Sequence, residues 1–542
     1  MNTRWPFVAV LIATAVLYSY AVGTAPVYIG GDEARFATGA SSIALTGRDL
    51  AGNRLPLFFH LPDSLAAEQS GTRWYQPLLF YRMAVSFRFL PFGEQSMRLP
   101  AVTIGVLDVF LIYVVALRLF GDRRWATLAA LLLALSPAHF IFSRQGLDYI
   151  CPLPFVLGWL WCVIVAVDTG SARLSLASGV ILGIGFYSYI ASWAMMPLLL
   201  LLTWAAQYRS GADIARHIRA TTVGFALPAL IAMVWLGFHQ EMFRDLAGRY
   251  GVFDARHLSP GQGRQDVLDY QLLQQRVAVY WDYFNPAYLF FAGGSNLSMA
   301  TRKAGVFLLP VSIFLACGLC ECWRRRSTVA SGVLLAGLAM APLPATLVNE
   351  RYAIQRELVL LPFAALIAAF GAALLLRHST RAGRLAGVLL LLAMPVQFGY
   401  FYRDYLNDYQ TRSAFWFDPA NFRGVAEYLI ANAPAGRTPL VYLSADLDDV
   451  AARWRFYLVK HRREDLLPRT SLFAATALDV RGVAPGSLLV LYANDPVVPS
   501  LVASGTCAVA SRIADITGVQ SAVILRKVDS APATGPQSAG SP

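Results

Sequence analysis

Two adjacent carboxylates, Asp32 and Glu33, stand in the stretch Ile29-Gly30-Gly31-Asp32-Glu33-Ala34-Arg35-Phe36, directly after an apolar run over residues 5–25. A helix needs roughly 20 apolar residues to cross ~30 Å of hydrocarbon, so both acids fall where a membrane span leaves the lipid. A third acid, Asp148, follows another apolar run, in Ser143-Arg144-Gln145-Gly146-Leu147-Asp148-Tyr149. Separate acids at one water–membrane boundary suit proton abstraction from an acceptor, one as base and one as positioner. Neighbours on a helix point ~100° apart, so Asp32 and Glu33 do not both serve one substrate atom. The plainer alternative is a helix start. Gly31-Asp32 would cap a helix running on from Glu33, and the helix dipole favours acids in the first turn. Asp148 can likewise be read as a solvated loop acid. The pair alone favours the cap; the addition of Asp148 favours chemistry.

Arginines near the same boundary form the second group: Arg35, Arg73, Arg98, Arg144, Arg351 and Arg356. The guanidinium fork matches phosphate, and a lipid phosphate sits at this depth. Arg73, Arg144, Arg351 and Arg356 are the candidates for a donor phosphate. Each alone reads better as a headgroup or structural contact; the set is the signal. Asp108 is a separate case, since it falls within an apolar run. A charge there costs roughly 2.5–3.5 kcal/mol on insertion scales, so it should face the bundle interior.

The elements that must position these groups are membrane spans. Of 542 residues, 56% are hydrophobic and 14% charged, against about a quarter charged in a soluble domain; mean hydropathy is +0.50. Apolar runs at residues 5–25, 99–119, 125–142, 152–167, 174–189, 191–207, 221–238, 305–323, 329–348, 358–376 and 385–401 predict about eleven transmembrane helices. The first, preceded by Arg4, reads as a retained signal anchor rather than a cleaved signal peptide. Residues 78–91 read as an amphipathic helix lying in the interface.

The formal charge of +12 does not point to nucleic acid, because the arginines cluster in short links between apolar runs. Cytoplasmic loops carry such an excess. The basic links put the N-terminus in the cytoplasm and the long polar segments 26–98 and 239–303 outside, together with everything after Arg403. That outer tail has short apolar runs at 440–443, 487–492 and 521–525 and a helical pattern at 425–431, predicting a small extracytoplasmic α/β domain over 403–528. Residues 529–542, rich in Ser, Ala, Gly and Pro, read as a disordered tail. Cys317, Cys320 and Cys322 have no accompanying His and sit in an apolar run, so they read as membrane residues, not metal ligands.

With these features in place, the chain resembles the bacterial polyprenyl-phosphate-sugar-dependent glycosyltransferases of the GT-C superfamily. These include protein mannosyltransferase and lipid A aminoarabinose transferase relatives and the RgtA/B/C/D-like glycosyltransferase domain. The matching pieces run through residues 1–402. They are Gly31-Asp32-Glu33-Ala34, Thr46-Gly47-Arg48-Asp49, Pro56-Leu57-Phe58, Gln76-Pro77-Leu78-Leu79-Phe80-Tyr81, Arg98-Leu99-Pro100, Ser136-Pro137, Phe142-Ser143-Arg144, Tyr187-Ser188-Tyr189, Tyr283-Phe284-Asn285-Pro286 and Phe290-Phe291-Ala292-Gly293-Gly294. Each is short; their order and spacing around the spans carry the likeness.

The resemblance implies an all-α polytopic enzyme of a bacterial inner membrane. It implies inverting transfer of a sugar from a polyprenyl-phosphate donor to an extracytoplasmic acceptor, with Asp32 as base and Asp148 as second acid. Some relatives carry a phosphate-contacting Lys where Gln76 stands, which leaves that charge to Arg73 or Arg351. Some distant members use a divalent metal, and the sequence leaves that open here. The competing reading is a transporter or flippase of lipid-linked substrates. It should place charges near the bilayer midplane and often shows an internal repeat; neither is the pattern seen, Asp108 apart.

Overall fold

The computed structural model describes residues 5–61, 73–211, 213–250, 270–294, 296–378, 380–432, 441–474 and 480–528. Arg4, the tail 529–542 and parts of the two long loops lie outside them. Two compact units emerge. The first takes Met1–Ala25, Gly39–Leu61 and Thr72–Gln410; the second takes Pro26–Thr38 and Thr411–Pro542. The boundary therefore falls eight residues beyond the expected 402/403, and the segment carrying Asp32 groups with the C-terminal unit.

Every expected apolar segment carries helix. Among the described residues six are long and apolar enough to cross a membrane: Glu94–Phe120, Asp148–Thr169, Ile214–Phe238, Val329–Leu347, Leu360–Arg377 and Arg381–Leu406. The rest are shorter or less apolar, such as Trp5–Ser19 and Ala172–Gly185. The segment expected as one span over 125–142 is two helices, Arg123–Ala134 and Pro137–Phe142. Pro137 has no N–H to continue the first helix and pushes Ser136 into extended backbone. Ser136 then caps the second helix, and Pro137 takes its first turn, where the missing N–H costs nothing.

Helix packing in this unit uses small residues. Ala172–Gly185 and Ile214–Phe238 approach so closely that a Cβ at Gly183 would lie 2.8 Å from the Phe225 carbonyl oxygen. This is the close backbone contact that small residues four apart permit in membranes. A short antiparallel ribbon, β1 (Phe59–Leu61) with β2 (Arg73–Tyr75), carries Arg73. The stretch 78–91 forms the helix Pro77–Phe89.

The second unit contains a small five-stranded sheet. The sheet has the order β4-β3-β5-β7-β6, with β3 Val441–Ser444, β4 Thr470–Phe473, β5 Leu488–Tyr492, β6 Cys507–Ala514 and β7 Gln520–Lys527. β3 pairs in parallel with β4 and β5, while β7 is antiparallel to both β5 and β6. Strand β5 is buried nearly throughout, as a central strand covered on both faces must be.

Candidate active site

In the second unit, Asp32 and Glu33 open the helix Gly31–Thr46. The capping contact belongs to Glu33. Its Oε2 accepts the Gly30 amide at 3.2 Å, the reach-back of an acid at the third helical position that satisfies an otherwise orphaned donor. Glu33 is buried in this role. Asp32, one residue earlier and turned away, keeps 36% of its side chain exposed. Its Oδ1 meets Arg35 Nη1 at 3.2 Å.

Arg35 is buried, and its second arm, Nη2, bonds Asp449 Oδ1. Asp449 ends the loop that follows β3 and precedes the helix Val450–His461. Arg453, one turn further on, is also buried. Its Nη2 donates to the Phe417 carbonyl at 2.6 Å and to Asp448 Oδ2 at 3.1 Å, and its Nε reaches the Ile29 carbonyl at 3.5 Å. Burial works against the Arg453 charge, yet Asp418, Asp448 and Asp449 around it hold its pKa above the usual value. Burial in turn pushes the Asp418 carboxyl up, against the pull of Arg453 and two backbone amides.

In the first unit, Asp148 begins the short turn Asp148–Ile150 and is buried. The helix Ile354–Glu357 packs against that turn. Glu357 is buried there. Its Oε1 accepts the Tyr288 hydroxyl, and its Oε2 has no hydrogen-bond partner among the described residues. Tyr283 donates to the Glu350 carbonyl at 2.5 Å and accepts the Ala353 amide at 3.0 Å. The segment 283–294 of the resemblance is thereby fastened to the link carrying Arg351 and Arg356.

The four candidate phosphate arginines differ in availability. Arg351 is 61% exposed, with Asp282 3.3 Å from its Nε. Arg356 is mostly covered and paired with Glu350. Arg73 lies half-buried on the ribbon. Arg144 has a different task from the one expected. It is fully buried, its Nη1 donates to the Tyr18 and Tyr20 carbonyls at 2.7 Å, and its Nη2 donates to the Ala25 carbonyl at 3.0 Å. Its guanidinium lies over the Phe140 and Tyr405 rings, 5.1 and 5.4 Å from their centroids. A cation there satisfies the carbonyls that end the first helix and its first loop, and it complements the helix dipole. Those donors are committed to backbone and are not presented to a phosphate.

Asp108 faces the interior, as expected. His139 Nε2 lies 3.4 Å from its Oδ2, and His139 Nδ1 lies 2.9 Å from the Tyr18 hydroxyl, joining three helices. Gln76 is buried and its Oε1 has no partner among the described residues. Among those residues no group of three or more His, Cys, Asp or Glu side chains is placed to hold a metal ion.

A cavity of about 1040 Å³ opens in the first unit, lined almost wholly by apolar side chains including Leu78, Tyr81, Val85, Leu99 and Ile184. Arg82 also lines it and donates to Thr103 at 2.7 Å.

Sequence reasoning missed Glu357, Asp449 and Arg453. Glu357 had a signal, an acid at the threshold of an apolar run. Asp449 and Arg453 had none, because the residues 29–35 they contact lie some four hundred residues away in the chain.

Comparison with known proteins agrees with this architecture. The sequence pattern of the dolichyl-phosphate-mannose-protein mannosyltransferases matches residues 75–236. ArnT from Cupriavidus metallidurans, bound to undecaprenyl phosphate, superposes with a TM-score of 0.57 at 12% identity, over 98% of this chain and 99% of that one. Its apo form gives 0.53 at 12% identity, over 95% and 97%. The Archaeoglobus fulgidus oligosaccharyltransferase tethered to an acceptor peptide gives 0.51 at 13% identity, over 87% of this chain and 64% of that one. No curated protein matches by sequence. The chain shares its fold with these solved structures, and residues 75–236 match the mannosyltransferase pattern.

Proposed function

We propose that this chain is a membrane glycosyltransferase that moves a sugar from a polyprenyl-phosphate donor to an acceptor on the outer side of a bacterial inner membrane, with inversion. The observation that carries the reading is Asp32. It is a part-exposed carboxylate, relieved of capping by Glu33 and oriented by a buried arginine. In the reaction the acceptor hydroxyl oxygen attacks the anomeric carbon and its proton passes to the Asp32 carboxylate. The bond from that carbon to the phosphate oxygen breaks, and polyprenyl phosphate leaves. One displacement inverts the centre and needs no protein nucleophile. Asp148 is the second acid. Arg73, Arg351 and Arg356 are the cations for the departing phosphate, and Arg144 is not among them. The undecaprenyl phosphate of ArnT and the GT-C fold support a lipid donor. So does the cavity, whose apolar lining suits a hydrocarbon tail.

The test is transfer in proteoliposomes from a panel of synthetic polyprenyl monophosphate sugars, set against the matching nucleotide sugars. Transfer from the lipid-linked donors alone is expected. Robust transfer from a nucleotide sugar without a lipid carrier would overturn the reading.

A further inference from the structure

The C-terminal sheet has a feature that bears on Asp32. Its chain leaves β3 toward β4 on one side and leaves β5 toward β6 and β7 on the other. The carboxyl ends of β3 and β5 therefore form a topological switch point, where open α/β sheets leave a crevice and bind their ligands. The two loops are joined there, since the Asp448 amide donates to the Tyr492 hydroxyl at 3.2 Å. What lies against the loop after β3 is the chain's own segment at residues 29–35. Arg453 reaches the Ile29 carbonyl, Asp449 bonds Arg35, and a Cβ at Gly31 would collide with the Asp449 carboxylate. Asp449 itself sits in the left-handed region at φ +49°, a conformation that Asp tolerates better than most residues.

We propose that Asp449 is a positioning residue for Asp32, acting through Arg35, and that the α/β domain serves the transfer reaction by this contact. The inference rests on the reading of Asp32 as base. A guanidinium is planar and rigid. Fixing Nη2 on Asp449 therefore fixes the direction of Nη1, and with it the Asp32 carboxylate 3.2 Å away. Without Asp449, the Arg35 fork loses the contact that sets the direction of its Nη1 arm, and Asp32 loses that restraint with it. Small displacements of a reacting group cost large factors in rate, so the effect falls on kcat and leaves donor binding alone.

The full-length chain in proteoliposomes, with whichever donor of the synthetic panel turns over, gives the kinetic arm. Asp449→Asn should lower kcat by about 10-fold with donor KM unchanged, a modest share of the factors that positioning commands. In an Asp32→Asn background Asp449→Asn should cost nothing further. Equal losses in both backgrounds, or no loss in either, would overturn the proposal. Hydrogen exchange gives an arm that needs no substrate. Asp449→Ala should raise exchange at the amides of residues 32–36 while those of β5 and β7 stay protected. Gly31→Ala should do the same by displacing the Asp449 side chain, and the double variant should be no worse than Asp449→Ala. Unchanged exchange at residues 32–36 in Asp449→Ala would also overturn it. Full activity of Asp32→Asn would remove the base assignment instead, and the exchange arm would still report on the Asp449–Arg35 contact.

Discussion

The two units bury arginine by different means. Arg453, in the C-terminal unit, is held by Asp418 and Asp448 as well as by carbonyls. Arg144, in the membrane unit, has backbone carbonyls and aromatic faces around it. The contrast follows from the price of desolvating ions. A carboxylate brought into an apolar bundle adds its own penalty to that of its partner. Carbonyls at a helix end need donors anyway, so they neutralise a guanidinium without a second ion. The Asp32–Arg35–Asp449 chain follows the pattern of the C-terminal unit.

The sharpest way to break this comparison is at Arg144. Arg144→Met leaves the carbonyls of Tyr18, Tyr20 and Ala25 without this donor, at about 1–3 kcal/mol each. Purified Arg144→Met should lose most of its folded yield in a detergent size-exclusion assay. Arg144→Lys should rescue little, since an ammonium cannot span the same fan of acceptors. Near-parental behaviour of the Lys variant would break the comparison. Asp32→Asn comes next. Arg35 keeps Asp449, so the melting temperature should stay near that of the parent while transfer falls by at least ~10²-fold, the scale of a lost general base. Glu33→Gln should cost less in rate and more in stability, because it weakens a cap and leaves the base in place. A smaller effect is expected at Glu357→Gln, which preserves the acceptor for Tyr288: transfer should fall less than about 10-fold, whereas Glu357→Ala should fall further. The smallest is Arg351→Ala. An exposed ion pair with Asp282 is worth ~1 kcal/mol or less, so the melting temperature should barely move. Donor KM should rise several-fold if Arg351 meets phosphate. An unchanged KM would transfer that role to Arg73 or Arg356.

How much of this was legible in advance differed by region. Apolar run length located the helices of the expected spans, because insertion into lipid depends on local composition. It did not reveal the break at Ser136-Pro137, since hydropathy does not register a missing N–H, although Pro itself was in view. Three of the five strands of the C-terminal sheet were found from their apolar runs. β6 was missed because its exposed, interrupted pattern, with register shifts near Val509 and Ile513, lacks a buried stripe. β4 was missed because it is four residues long and only half-buried.

The sequence by itself determined that this is a membrane protein with acids at the ends of its spans, and it singled out Asp32 and Glu33 as a pair. It could not divide the labour between them. That division turns on the Glu33 carboxylate folding back to Gly30 and on the Arg35 fork opening toward Asp32 and Asp449. Which buried charge meets carbonyl, carboxylate or ring was decided by tertiary structure alone. Hydropathy is a property of neighbours in the chain, but a charge is compensated by whatever the fold brings within about 3 Å, here from as far as Asp449 to Arg35.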